Sequence, residues 1–211
     1  MKLLQKYVIA LALLLAAFSS STLAKDPDTR EVLLFGDSIA AGFGLSAEEG
    51  LTAQLEARLL AEGLSVDVKN AGVSGDTTAG GLSRLDWALT PETDVIVLIL
   101  GGNDALRGLT PSQSRANLDA LLTQLKTREV KVLLTGMRAP PNLGADYAAA
   151  FEPMFSDLAE AHGVAFYPFI LEGVAAETDL NQADGIHPNG KGVGLIVEGL
   201  LPLLKPLLDD S

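Results

Sequence analysis

Val95-Ile96-Val97-Leu98-Ile99-Leu100 is an unbroken apolar run, closed at once by Gly101-Gly102-Asn103-Asp104. It is rich in β-branched residues and shows no alternation of apolar with polar, so it reads as a strand buried on both faces, as in a parallel sheet covered by helices. Working outward, Ser112 to Thr127 carries Leu118, Leu121, Leu122 and Leu125 on one side at helical spacing. A fourth strand, Val130 to Thr135, follows it, and on the other side stand a helix over Gly80 to Leu89 and a short strand over Val66 to Val68. Val32 to Phe35 reads as the first strand, ending at Gly36, and Ala47 to Ala61 as a helix with Leu51, Leu55, Leu59 and Leu60 in period. Tyr147 to His162 reads as a helix with a break near Pro153, Val164 to Tyr167 as a fifth strand, and Gly192 to Leu201 as the last helix, which Pro202 should kink or end. Strand and helix alternate throughout, so the class is α/β with a parallel sheet. In such sheets the ligand crevice lies beyond the carboxyl ends of the strands.

The first residues stand apart from this pattern. Lys2 and Lys6 precede an apolar run from Val8 to Phe18, which is short for a bilayer span, and Thr22-Leu23-Ala24 offers small residues for a signal peptidase. This predicts a signal peptide over residues 1–24, a single domain over 25–211 and a periplasmic or secreted location with no lasting membrane anchor; an uncleaved N-terminal anchor is the alternative. The chain has no cysteine, which removes disulfides, thiolate catalysis and a lipid-modified cysteine. The net charge is −12, and loss of Lys2 and Lys6 makes it more negative, so nucleic acid is not an expected partner.

Polar, Gly-rich segments follow the strands. They are Gly36-Asp37-Ser38, Asn70 to Asp76, Gly101 to Asp104 and, after an intervening stretch, Asp184-Gly185-Ile186-His187-Pro188. The sheet rule brings all four to one edge. Ser38 sits where a strand turns into a helix, a place equally suited to an N-cap or to a nucleophile beside a helix N-terminus. A serine nucleophile needs a base, and the chain has two histidines. His162 ends a helix before Gly163, where the helix dipole and free carbonyls explain it. His187 lies in a loop, held extended by Pro188, with Asp184 three residues earlier, able to reach back to the imidazole Nδ1–H or simply to form a turn. Gly75 offers a backbone N–H that a substrate oxygen can approach, and Asn103 a side-chain amide; each also fits an ordinary turn or cap. With Ser38 N–H they would make three oxyanion donors. Asp37 and Asp104 suit loop bracing better than proton transfer. No metal-ligand spacing or dinucleotide glycine pattern is present.

Together the four segments resemble the blocks of the SGNH (GDSL-type) hydrolases. Ser38, Gly75, Asn103 and His187 match the four letters in order, and Asp184 matches the triad acid. Ser74 to Thr77, Gly101 to Leu109 and Asp184 to Asn189 are similar to the bacterial thioesterase I / lysophospholipase L1 / arylesterase group. The resemblance implies a three-layer flavodoxin-like sandwich with a five-stranded parallel sheet, a Ser38–His187–Asp184 triad, acyl-enzyme chemistry without a cofactor, and a monomer acting on small acyl esters or thioesters. It also implies a mobile loop over Ala105 to Thr110 that closes on the acyl chain, with Leu106 and Leu109 touching the chain and Arg107 pinning the loop by an ion pair. A carbohydrate acetylesterase of the same family would instead have a polar, open crevice. A non-catalytic binding module would have no need to gather Ser38, Asp184 and His187.

Overall fold

The computed structural model describes residues 28–209. The predicted leader and its cleavage point lie outside the described residues. Five parallel strands form one sheet: β1 (Arg30–Gly36), β2 (Val66–Gly72), β3 (Thr93–Ile99), β4 (Lys131–Thr135) and β5 (Ala165–Tyr167), in the order β2-β1-β3-β4-β5. The helices are α1 (Ser38–Ala41), α2 (Leu51–Ala61), α3 (Thr78–Ala88), α4 (Gly102–Leu106), α5 (Pro111–Thr127), α6 (Ala145–Phe151), α7 (Pro153–His162) and α8 (Gly190–Leu208). One layer is built on α2 and α8, the other on α3, α5, α6 and α7, so the sheet is covered on both faces. That cover is why Val32, Leu34, Phe35 and the whole of Val95 to Leu100 are buried without alternation. β1 pairs in parallel with both β2 and β3, with a register shift against β3 between Glu31 and Val32, so consecutive strands part company beside it. This switch point opens a crevice between the loops after β1 and β3.

Local chemistry explains most boundaries. Gly50 is extended (φ −68°, ψ 158°) and divides the predicted Ala47–Ala61 helix into a 3-10 turn over Ala47–Glu49 and α2; Ser46 and Glu49 form a capping box on the turn. Thr77 caps α3 by accepting from Gly80 N–H, which starts that helix before Gly80. The break at Pro153 is where α6 gives way to α7.

Of the two outcomes expected at Pro202, a kink or an end, the end does not occur. α8 runs on through Pro202 and Pro206 to Leu208. The two prolines are one turn apart on the exposed side, while Val193, Ile196, Val197, Leu200, Leu204 and Leu208 are buried. The carbonyls deprived of an N–H partner belong to Glu198 and Pro202, both exposed residues, and burial of the opposite stripe outweighs the lost bonds.

Candidate active site

β1 delivers Ser38 to the first position of α1. Asp37, not Ser38, is the N-cap: its Oδ1 accepts from Ile39 N–H at 3.1 Å. The serine hydroxyl is therefore not engaged in capping. The far end of α1 rests on the end of β2, where a Cβ on Gly72 would lie 2.2 Å from Ala41 N, so only glycine permits the approach.

The Asp184–Asn189 loop arrives from the opposite side. Asp184 Oδ1 accepts from the backbone N–H groups of Ile186 (2.9 Å) and His187 (3.0 Å), and Oδ2 lies 2.6 Å from His187 Nδ1. These bonds, led by that from His187 N–H, pull the Asp184 carboxyl down to about 2. A carboxylate can only accept, so Nδ1 carries the proton and Nε2 is left as an acceptor. Nε2 is 2.9 Å from Ser38 Oγ. The three side chains form one continuous line of hydrogen bonds.

Several residues that sequence reasoning missed hold this line in place. The Phe43 ring lies 4.6 Å from the His187 ring. Gln182 Nε2 donates to Phe43 C=O at 2.7 Å and to Pro188 C=O at 3.0 Å, joining the histidine loop to the serine loop. Arg84 donates to Ala71 C=O, Gly36 C=O and Asp76, with its guanidinium 4.1 Å from the centre of the Phe35 ring, so one cation ties the ends of β1 and β2 together. None of these has a local signal, because each acts on a partner distant in sequence. His162, as expected, is outside the crevice; it ends α7 and pairs with Asp119 at 2.7 Å instead of capping carbonyls.

The predicted donors face the same crevice. Neither Ser38 N–H nor Gly75 N–H meets a protein acceptor among the described residues. Gly75 has φ 84°, a conformation that suits glycine. Asn103 Nδ2 donates to Asp76 C=O at 3.0 Å and lies 3.5 Å from Asp37 Oδ2. Asp104 is buried and accepts from Thr78 N–H, Thr78 Oγ and Ser114 Oγ, clamping α4 between α3 and α5.

The Ala105–Thr110 loop departs from expectation in two ways. Arg107 makes no ion pair among the described residues; its Nη2 donates to Gly75 C=O at 2.6 Å. Leu106 lines the crevice but Leu109 does not. Gly108 (φ 62°) turns the chain away, and Leu109 C=O accepts from Tyr147 Oη on α6. The crevice has a volume of about 350 Å³ and its walls are largely apolar: Phe43, Leu106, Met137, Phe169, Leu171 and Ile186 surround Ser38 and His187.

A family model described as "GDSL-like Lipase/Acylhydrolase family" matches residues 34–195. The chain belongs to that family. As a GDSL-like acylhydrolase it is 42% identical over 187 residues to "Esterase TesA" of Pseudomonas aeruginosa, across 88% of this chain and 93% of the relative. It is 36% identical over 179 residues to "Thioesterase 1/protease 1/lysophospholipase L1" of Escherichia coli K12, across 84% of this chain and 85% of the relative. A solved structure titled "Crystal Structure of TesA" superposes with a TM-score of 0.80 at 42% identity, covering 84% of this chain and 99% of that one. The α/β sandwich is thus the fold of this GDSL-like chain as well as of its relatives.

Proposed function

We propose that this GDSL-like chain is a serine esterase that cleaves carboxylic esters, and thioesters by the same chemistry, of lipid-like or aryl and alkyl acyl substrates. The observation that carries the reading is the line Ser38 Oγ to His187 Nε2 (2.9 Å) and His187 Nδ1 to Asp184 (2.6 Å) at the foot of an apolar crevice. His187 takes the Ser38 proton as Oγ attacks the acyl carbon. The oxyanion that forms is met by Ser38 N–H, Gly75 N–H and the Asn103 amide. His187 then gives the proton to the leaving alcohol or thiol, and an acyl-enzyme remains. Water, deprotonated by His187, attacks the acyl-enzyme, and Ser38 recovers its proton as the acid departs.

The apolar walls favour an acyl chain over a sugar, which bears against the acetylesterase alternative. The names of the relatives, esterase and thioesterase 1/lysophospholipase L1, point the same way. Net charge −12 opposes polyanionic coenzyme A esters at long range, so neutral or zwitterionic esters are the favoured substrates. A panel of p-nitrophenyl esters from acetyl to palmitoyl, with lysophosphatidylcholine and acyl-CoA alongside, tests this. Faster turnover of chains longer than acetyl is expected, with acyl-CoA a poorer substrate than lysophosphatidylcholine at low salt. Turnover confined to acetate would establish the acetylesterase instead, and inertness toward every ester would leave only a binding module.

The N-terminal pattern supports export to the periplasm with cleavage after Ala24. N-terminal sequencing of the exported protein is expected to begin at Lys25; retention of the apolar run would make it an anchor.

A further inference from the structure

The triad closes between two segments with few links. Ser38 and His187 are 149 residues apart, and the tip of the histidine loop, residues 183–186, is exposed. Among the described residues, the segment 181–189 makes only two hydrogen bonds to the segment 37–46: His187 Nε2 with Ser38 Oγ, and Gln182 Nε2 to Phe43 C=O at 2.7 Å. Gln182 meets its own loop twice more. Its backbone N–H donates to His187 C=O at 2.8 Å, and its Nε2 to Pro188 C=O at 3.0 Å. On the serine side, Phe43 N–H donates to Ser38 C=O at 3.0 Å. The bonds therefore run in a closed ring, from Ser38 to Phe43, Gln182 and His187 and back to Ser38. The amide is seated against backbone, since a Cβ on Gly44 would lie 2.2 Å from its Oε1. Gln182 does not line the crevice.

We propose that Gln182 is a positioning residue that holds His187 Nε2 within reach of the Ser38 hydroxyl by fastening the histidine loop to the Phe43 carbonyl. The proposal rests on the acyl-transfer reading above. A side-chain amide nitrogen carries two hydrogens, and here it faces one carbonyl on each loop. Two carbonyl oxygens cannot bond to each other, so a donor between them is what joins the loops. The reversed amide would set its oxygen against both carbonyls, which fixes the orientation. Proton transfer needs the base within hydrogen-bond reach of the hydroxyl, and a misplacement of about 1 Å can cost on the order of a hundredfold in rate. Without the amide, the histidine loop would be hydrogen-bonded to the serine segment only through the reacting pair itself. The Asp184–His187 bonds would survive, because they lie within the loop. The loss should therefore fall on the step in which Ser38 gives up its proton, and not on substrate binding.

The test sets Gln182 beside Gln54, a glutamine with the same pair of bonds farther along the chain from the triad. Gln54 Nε2 donates to Glu49 C=O at 2.7 Å and to Gly190 C=O at 2.9 Å, tying the chain ahead of α2 to the start of α8. The readouts are kcat and KM with a soluble acyl ester, and thermal unfolding. Gln182→Met keeps the length of the side chain and removes its donors; it is expected to lower kcat by at least about tenfold with KM nearly unchanged. Gln182→Glu has the same shape but only acceptors at neutral pH, and is expected to lose at least as much; either variant serves if the other does not fold. Gln182→Lys supplies N–H donors again and is expected to recover part of the loss. Gln54→Met is expected to lower the melting temperature while leaving kcat within about threefold of the parent. Parental kcat in Gln182→Met or Gln182→Glu, or a loss confined to KM, would overturn the role of Gln182 and leave the esterase reading intact. An equal loss of kcat in Gln54→Met would overturn it as well, by showing a general loosening in place of a specific one. A parent that hydrolyses no ester would bring down the acyl-transfer reading itself.

Discussion

Ser38→Ala is expected to lower kcat for p-nitrophenyl ester hydrolysis by about 10⁵- to 10⁶-fold and to abolish covalent labelling by a fluorophosphonate. The magnitude follows from what the hydroxyl supplies. Without Oγ no acyl-enzyme can form, and what remains is water attack on an ester still held near the Ser38 and Gly75 N–H groups and the Asn103 amide. Such a remnant amounts to about 10³- to 10⁴-fold over the uncatalysed reaction. The fold should tolerate the change, because the cap on α1 comes from Asp37 and, among the described residues, the serine hydroxyl bonds only to His187. Thermal unfolding of the variant is therefore expected to match the parent. A variant that still turns over ester at a tenth of the parental rate, or that is still labelled, would show that another group is the nucleophile.

Asp184→Asn is expected to cost about 10⁴-fold in kcat at neutral pH. The amide can still accept from the Ile186 and His187 N–H groups through its oxygen, so the loop keeps its path. Its NH2, however, then faces Nδ1, which must become the acceptor, and the ring proton moves to Nε2. An Nε2–H donates toward Ser38 Oγ and cannot take its proton. The parent does not meet this problem at any ordinary pH. With its carboxyl held down at about 2, Asp184 is ionised throughout the working range. As the folded value lies below the unfolded one, the carboxylate's stabilising bonds are present above pH 3.8 and are lost only as pH falls through about 2. Any acidic limb of the parental rate profile between pH 4 and 7 must come from a group other than Asp184. A limb in that window that vanishes in the Asp184→Asn enzyme while kcat is otherwise retained would contradict this assignment.

The site was legible to different depths. Ser38, Gly75 and Asn103 stand out because each lies in a short polar segment just after a strand, where the sheet rule sends ligands, and Asp184 and His187 because they share a polar loop that follows the fifth strand after an intervening stretch. Arg84, Phe43 and Gln182 do not stand out. Arg84 reads as one more charge on an amphipathic helix, yet it holds the carbonyls of Gly36 and Ala71. Leu109, expected at the acyl chain, does not line the crevice, because a loop's direction after Gly108 is set by where Tyr147 stands, and that is a contact with α6.

By itself, the sequence determined the alternation of strands and helices, the buried sheet and the loops that carry the chemistry. These follow from hydrophobic period, glycine and proline placement, and the geometry of parallel sheets, all of which are local or nearly so. Only the tertiary structure decided the strand order, the continuation of α8 past Pro202, the capping of α1 by Asp37, and the meeting of Gln182 with Phe43. Each of those depends on which surfaces are buried against which, a balance struck between residues far apart in the chain.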